Sequence, residues 1–150
     1  IRRRHGRVSA ERVLSGAGLA NLHQAIAELE GLALPRLTPS DVTTAAFDGS
    51  SPQCRAAVDA FCAFLGAVAG DVALFFGARG GIYIGGGIVP RFVTHLERST
   101  FREQFVAKGR LRPYLERLPT RVILHPNPAF VGLAALAKLA RHRAKPRQAS

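Results

Sequence analysis

The chain has 150 residues, which is one domain's worth, and at 47% hydrophobic it has enough apolar content for a core. Its formal net charge is +11, concentrated at Arg2, Arg3, Arg4, Arg7 and Arg12, from Lys138 to Arg147, and between Arg91 and Arg121. No apolar run reaches the roughly 18 residues of a membrane span, because Asp59 and Asp71 interrupt the nearest candidate, and the basic start leads into no apolar signal region.

The expectation is a soluble protein. Basic ends fit solvated tails, an anionic small-molecule ligand or nucleic acid. Nucleic acid is the weakest of these readings. Stacking on bases needs aromatics among the cations, and the chain has two tyrosines, Tyr83 and Tyr114, and no tryptophan. There is no methionine, even at position 1, which predicts a piece of something longer or a processed product.

Ser9 is placed to cap a short helix over "AERVL", with Glu11 in its first turn, where the helix dipole favours negative charge. Gly16 and Gly18 are expected to break or kink it. "LANLHQAIAEL" continues with Leu19, Leu22, Ile26 and Leu29 at helical spacing. A loop through Pro39 follows, then a short helix capped by Ser40 and a turn at "DGSSP". Gln53 to about Phe76 reads as a long helix with an apolar stripe of Val58, Phe61, Cys62, Leu65, Ala69, Val72 and Phe76. Cys54 and Cys62 lie eight residues apart on it. That is about 12 Å along a helix axis, beyond the Cα separation of about 7 Å that a disulfide allows. Reduced, packed cysteines suit a cytosolic protein.

"GIYIG" reads as a strand with Ile82 and Ile84 on one side and Tyr83 on the other. Gly85, Gly86 and Gly87 follow, and Pro90 places a helix start near Gly87–Val89. "STFREQFVAKG" is a helix capped by Ser99 or Thr100 and stopped by Gly109, and "LRPYLERL" is a short one. "TRVILH" is a second strand. Asn127 and Pro128 then open a last helix that runs into a basic tail. The order βαβα predicts a helix-rich α/β chain with a small parallel sheet. Two short strands make a poor core alone, a second hint of strands upstream.

The triple glycine is the segment best suited to chemistry. Between a strand and a helix, bare backbone and free N–H groups let an anion or a nucleotide come close. Its spacing matches neither the dinucleotide fingerprint nor the Walker loop, so a ligand loop and a packing turn both fit. His125 ends a strand and is either a ligand-facing or a structural histidine. No carboxylate pair, Ser/His/Asp set or metal cluster is visible, and from spacing alone Glu11 is a helix-dipole residue.

Taken together, "VSAERVLSGAGLANLHQAI", "GGIYIGGGIVPRF", "STFREQFVAKGR" and "HPNPAFVGLAAL" resemble, in order and spacing, the bacterial ATP-dependent glucokinases. The resemblance covers about residues 5–140. It implies an actin-like, ribonuclease H-like sugar-kinase fold, of which residues 1–150 would be the C-terminal part of the large domain, with the N-terminal half missing. It implies phosphorylation of the 6-hydroxyl of glucose by ATP with Mg²⁺ in a cytoplasmic enzyme, the isolated chain being non-catalytic. The family's sugar-binding glutamate maps to Glu11, with Ser15 and Gly16 in the same turn. The adenosine-side glycines map to Gly85, Gly86 and Gly87.

Four family motifs are absent and precede this chain's start in family order. They are an Asp-Gly-Gly-Thr phosphate motif, an Asn-Asp pair carrying the general base, a Glu-Gly-Gly-His sugar segment and a second phosphate loop. The implied partners are glucose, ATP or ADP, the missing half and a second copy in a homodimer, with no membrane. Two alternatives stay open: a non-catalytic basic remnant that binds a partner or nucleic acid, and a kinase of the same fold for another hexose.

Overall fold

Local chemistry sets most of the helix boundaries. In the computed structural model, which describes residues 1–144, α1 (Arg2–His5) is one turn and a 3₁₀ turn spans Ala10–Arg12. The expected helix over "AERVL" is therefore reduced to that turn, and Ser9 makes no capping bond. Gly16 opens α2 (Gly16–Leu29) instead of breaking it, because the Ser15 hydroxyl accepts from the Gly18 N–H at 3.0 Å and so caps the helix. Gly18 is required for a second reason. A Cβ there would lie 2.5 Å from the backbone carbon of Val13, so only glycine lets the 9–13 turn rest on α2.

In α3 (Pro39–Phe47) the cap is Thr38, not Ser40. Thr38 and Asp41 form a reciprocal capping box, with Pro39 in the first turn. The α4 helix (Pro52–Phe75) is capped by Ser51, and Gly77 follows it at φ 57°.

The core is built around α4, which packs against α2, α3 and α6 (Phe101–Val106). Gly66 and Gly70, one helical turn apart on α4, face the carbonyls of Phe101 and Phe105, leaving no room for a side chain at either position. The two backbones can therefore approach closely, and Phe61, Phe105, Leu19 and Leu115 are fully buried around the seam. Each such side chain contributes about 1.5–3 kcal/mol relative to exposure. Lys108 ties the seam from the other side, donating to the Ala67 carbonyl at 2.9 Å and pairing with Asp71 at 2.6 Å.

Two members of the expected α4 stripe, Val72 and Phe76, point outward, as does Leu29 at 88% exposure. The buried face of α4 instead runs through Gly66, Ala69, Gly70 and Ala73, because contact with a backbone selects small residues. Cys54 and Cys62 are free and buried. Burial pushes the Cys62 thiol up to about 11, so it stays protonated and unreactive at neutral pH. With 24 residues and a mean hydropathy of 1.8, α4 is long and apolar enough to cross a membrane by length and composition. That corrects the expectation that no segment is. Here it is a packing helix.

After α4 come β1 (Ile82–Ile84), a 3₁₀ turn over Val89–Phe92, α5 (Val93–Arg98), α6, α7 (Arg112–Glu116), β2 (Thr120–Val122) and α8 (Pro128–Ala144). The two strands pair in parallel, Ile82 with Thr120, Tyr83 with Arg121 and Ile84 with Val122, as the βαβα order predicts. Ser99 joins α5 to α6: its hydroxyl donates to the Leu96 carbonyl and accepts from the N–H of Phe101, the first residue of α6, at 3.2 Å. The α6 helix ends at Val106, before Gly109. Arg102 then crosses to the end of α7 and donates to the carbonyls of Leu115, Glu116 and Leu118. The basic tail beyond Ala144 lies outside the described residues.

Among the described residues the buried His23 on α2 has no hydrogen-bond partner at Nδ1, and burial lowers its pKa below 6.5. The folded state therefore holds it neutral while the unfolded chain takes up a proton below pH 6.5. This contribution to stability is fully present above 6.5 and is lost as pH falls through and below that value. His23→Leu is expected to flatten the pH dependence of the urea midpoint between about pH 7 and about pH 5. An unchanged slope would assign the acid sensitivity to other groups.

Candidate functional site

Gly85, Gly86 and Gly87 leave β1 at the end of the parallel pair, where open α/β sheets place ligands. Gly86 has φ 125°, a conformation that a side chain rarely adopts. Gly85 and Gly87 carry no such constraint. A Cβ at Gly87 would meet nothing within 4 Å, and one at Gly85 would only touch the Ile123 side chain at 3.6 Å. Neither backbone strain nor packing demands glycine at Gly87. The turn explains Gly86, Gly85 rests against Ile123, and open space lies beside Gly87.

That space is a cavity of about 450 Å³ lined by Gly86, Gly87, Pro90, Leu124, His125 and Pro128. No acid is among its lining residues. Pro128 is the first residue of the 17-residue α8, so the positive end of that helix dipole lies at the cavity wall. His125 reaches the cavity, and its Nδ1 accepts from the Asn127 N–H at 3.0 Å. This fixes the tautomer with the proton on Nε2. Asn127 stands immediately before the first residue of α8, the position expected of a cap.

Glu11 lies on the exposed 3₁₀ turn Ala10–Arg12. Two residues that spacing did not single out hold the turn in place. Gly18 lets it rest on α2, and the buried Asn21 donates to the Arg12 carbonyl at 3.1 Å. Asn21 is fixed in turn by Arg36, which donates to its Oδ1 at 3.3 Å. A buried amide satisfied at both ends is a stiff support. The turn and the glycine loop meet through α2, since a Cβ at Gly16 would stand 3.5 Å from Ile88, the residue after Gly87. The fold thus brings the Glu11–Gly16 segment and the Gly85–Gly87 loop, some seventy residues apart in sequence, to one region. Among the described residues no three His, Cys, Asp or Glu side chains form a metal-binding group. The residues present do not make a magnesium cage.

A family model described as glucokinase matches residues 1–140. The chain belongs to the glucokinase family. It is 54% identical to a glucokinase of Nitrobacter hamburgensis over 86% of this chain and 40% of that protein. It is 52% identical to one of Paramagnetospirillum magneticum over 91% of this chain and 42% of that protein. Among solved structures it resembles the glucokinase from an Antarctic psychrotroph, with a TM-score of 0.85 and 38% identity over 90% of this chain and 42% of the other. The helix-rich architecture with its small parallel sheet is thus that of a sugar kinase. The chain spans about 40% of the length of the curated glucokinases it matches.

Proposed function

We propose that this chain is the C-terminal part of the large domain of an ATP:glucose 6-phosphotransferase of the cytoplasm, contributing one sugar contact and the adenosine wall of the nucleotide site. The observation that carries the reading is the junction of the glycine loop and the Glu11 turn through Gly16 and Ile88. Two substrates must be held together for phosphoryl transfer, and this junction joins a segment suited to each. Glu11 is exposed on a braced turn, and an ionised carboxylate accepts strongly from paired sugar hydroxyls. In the Gly85–Gly87 loop, Gly86 and Gly87 present bare backbone to a cavity at the positive end of α8, which suits a nucleotide.

The remaining chemistry belongs to a segment outside this chain. Among the described residues no carboxylate lines the glycine-loop cavity, so the base that takes the 6-hydroxyl proton comes from elsewhere, and Mg²⁺ is held chiefly by phosphates and that other segment. Alone, the chain is non-catalytic. The exposed apolar residues of α8, Phe130, Leu133 and Leu136, together with a sheet of only two strands, suit further structure packed against them. In the complete protein, Gly87→Val fills the cavity mouth without backbone strain. It is expected to weaken ATP binding about tenfold while leaving glucose binding unchanged, read by calorimetric titration of each. An unchanged ATP Kd would remove the glycine loop from the nucleotide site.

A further inference from the structure

A second cavity, of about 460 Å³, lies on the far side of Pro90, the one lining residue it shares with the glycine-loop cavity. Its polar wall carries three guanidinium groups, Arg55 from α4, Arg91 from the 3₁₀ turn and Arg98 from α5, with the His95 imidazole and the half-exposed ring of Phe47 beside them. No acid lines it. The nearest sequence neighbour of Arg98 that is acidic, Glu97, lines a separate cleft against the sheet.

Part of the wall is already braced. The Arg55 guanidinium lies 5.5 Å from the Phe47 ring centroid, donates to His95 Nδ1 at 3.1 Å and stands 3.7 Å from Asp59. His95 donates from Nε2 to Asp59 at 2.6 Å, and its ring meets Phe47 edge-on at 5.4 Å. Asp59 therefore holds Arg55 and His95 from behind, outside the lining. The other part is unspent. Among the described residues, neither Arg91 nor Arg98 makes an ion pair or a side-chain hydrogen bond, although both line the cavity and are exposed.

Two unpaired guanidinium groups beside a fixed third, next to an aromatic face, match a phosphate dianion on a small organic body. Guanidinium forks bind phosphate oxygens in pairs, and the ring gives the body a surface to lie on. We infer that this cavity is a second anion site, which takes a small phosphomonoester through Arg91 and Arg98, with Arg55 as the fixed end. It uses neither Glu11 nor the glycine loop.

The test is titration of the complete protein with inorganic phosphate, glucose 6-phosphate and AMP, followed by calorimetry. The variants are the double change Arg91→Ala with Arg98→Ala, and separately Gly87→Val. Because both arginines are exposed and unpaired, the double variant is expected to keep the parent's circular dichroism and thermal midpoint. It is expected to weaken binding of inorganic phosphate and of the phosphomonoesters at this site about tenfold or more, and Gly87→Val to leave the binding of inorganic phosphate unchanged. Tighter binding of glucose 6-phosphate than of phosphate would support a sugar phosphate as the occupant, and tighter AMP a nucleotide. Absence of saturable binding by all three probes, or binding untouched by the double variant, would overturn the inference. Inorganic phosphate binding lost in Gly87→Val alone would place the anion in the glycine loop and overturn it too, while leaving the nucleotide reading of that loop standing.

Discussion

Glu11→Gln in the complete protein is expected to raise the glucose Kd about tenfold while leaving the ATP Kd unchanged. The substitution keeps the side chain's length and one oxygen acceptor but removes the charge. Hydrogen bonds to a charged acceptor contribute about 1.5–3 kcal/mol, against about 0.5–1.5 for a neutral pair, and a difference of about 1.4 kcal/mol is tenfold. The fold should be indifferent to the change, because Glu11 is exposed and makes no ion pair or side-chain hydrogen bond among the described residues. The turn it stands on is held by Gly18 and by the Asn21 bond to the Arg12 carbonyl. Glucose titration by calorimetry or by quenching of an introduced fluorophore gives the answer. An unchanged glucose Kd would return Glu11 to the role of a surface helix-dipole residue.

Phe105→Ala is expected to cost about 3–5 kcal/mol, a large share of the roughly 5–15 kcal/mol that holds a domain folded. Phe105 is fully buried, stacks on Phe101 with ring centroids 6.2 Å apart and lies under the Arg102 guanidinium at 4.9 Å. Its carbonyl also faces Gly70 across the seam between α4 and α6. Removing the ring therefore opens a void where two backbones are held closest and the neighbours have least freedom to collapse. Phe75→Ala is the control. At 83% exposure it is expected to change stability by no more than about 0.5 kcal/mol. Urea midpoints of the three proteins make the comparison, and equal shifts for the two variants would place the core elsewhere.

The two site segments differ in how legible they were. The glycine loop could be found locally, because three glycines between an apolar strand and a proline are unusual in any chain. Sequence alone left it between a turn and a ligand loop. The structure separates its members: Gly86 serves the backbone, and Gly87 borders open space. Glu11 carried no local signal beyond helix-dipole preference, and only its motif context marked it. Gly18 and Asn21, which position its turn, could not be found by spacing, because their partners are backbone atoms of residues 12 and 13 brought close by the fold. Gly16 and Gly18 read as helix breakers because propensity scores each glycine alone. One begins a helix under a serine cap, and the other makes room for a neighbouring turn.

The amino-acid order by itself determined where the longer helices and both strands lie, the parallel βαβα course, the reduced cysteines and, through several motifs in series, the glucokinase family, whereas the "AERVL" segment and the start of the helix after the glycines became 3₁₀ turns. These follow from periodicity, caps and turn chemistry, all of which act within a few residues. Tertiary structure decided which face of each helix is buried. The α4 stripe turned toward Gly66 and Gly70, away from Val72 and Phe76, because close approach to the α6 backbone outweighs the burial of larger side chains. It also decided what the glycines and arginines adjoin. A residue's hydropathy states its preference for water, whereas the space beside it is set by chain segments distant in sequence.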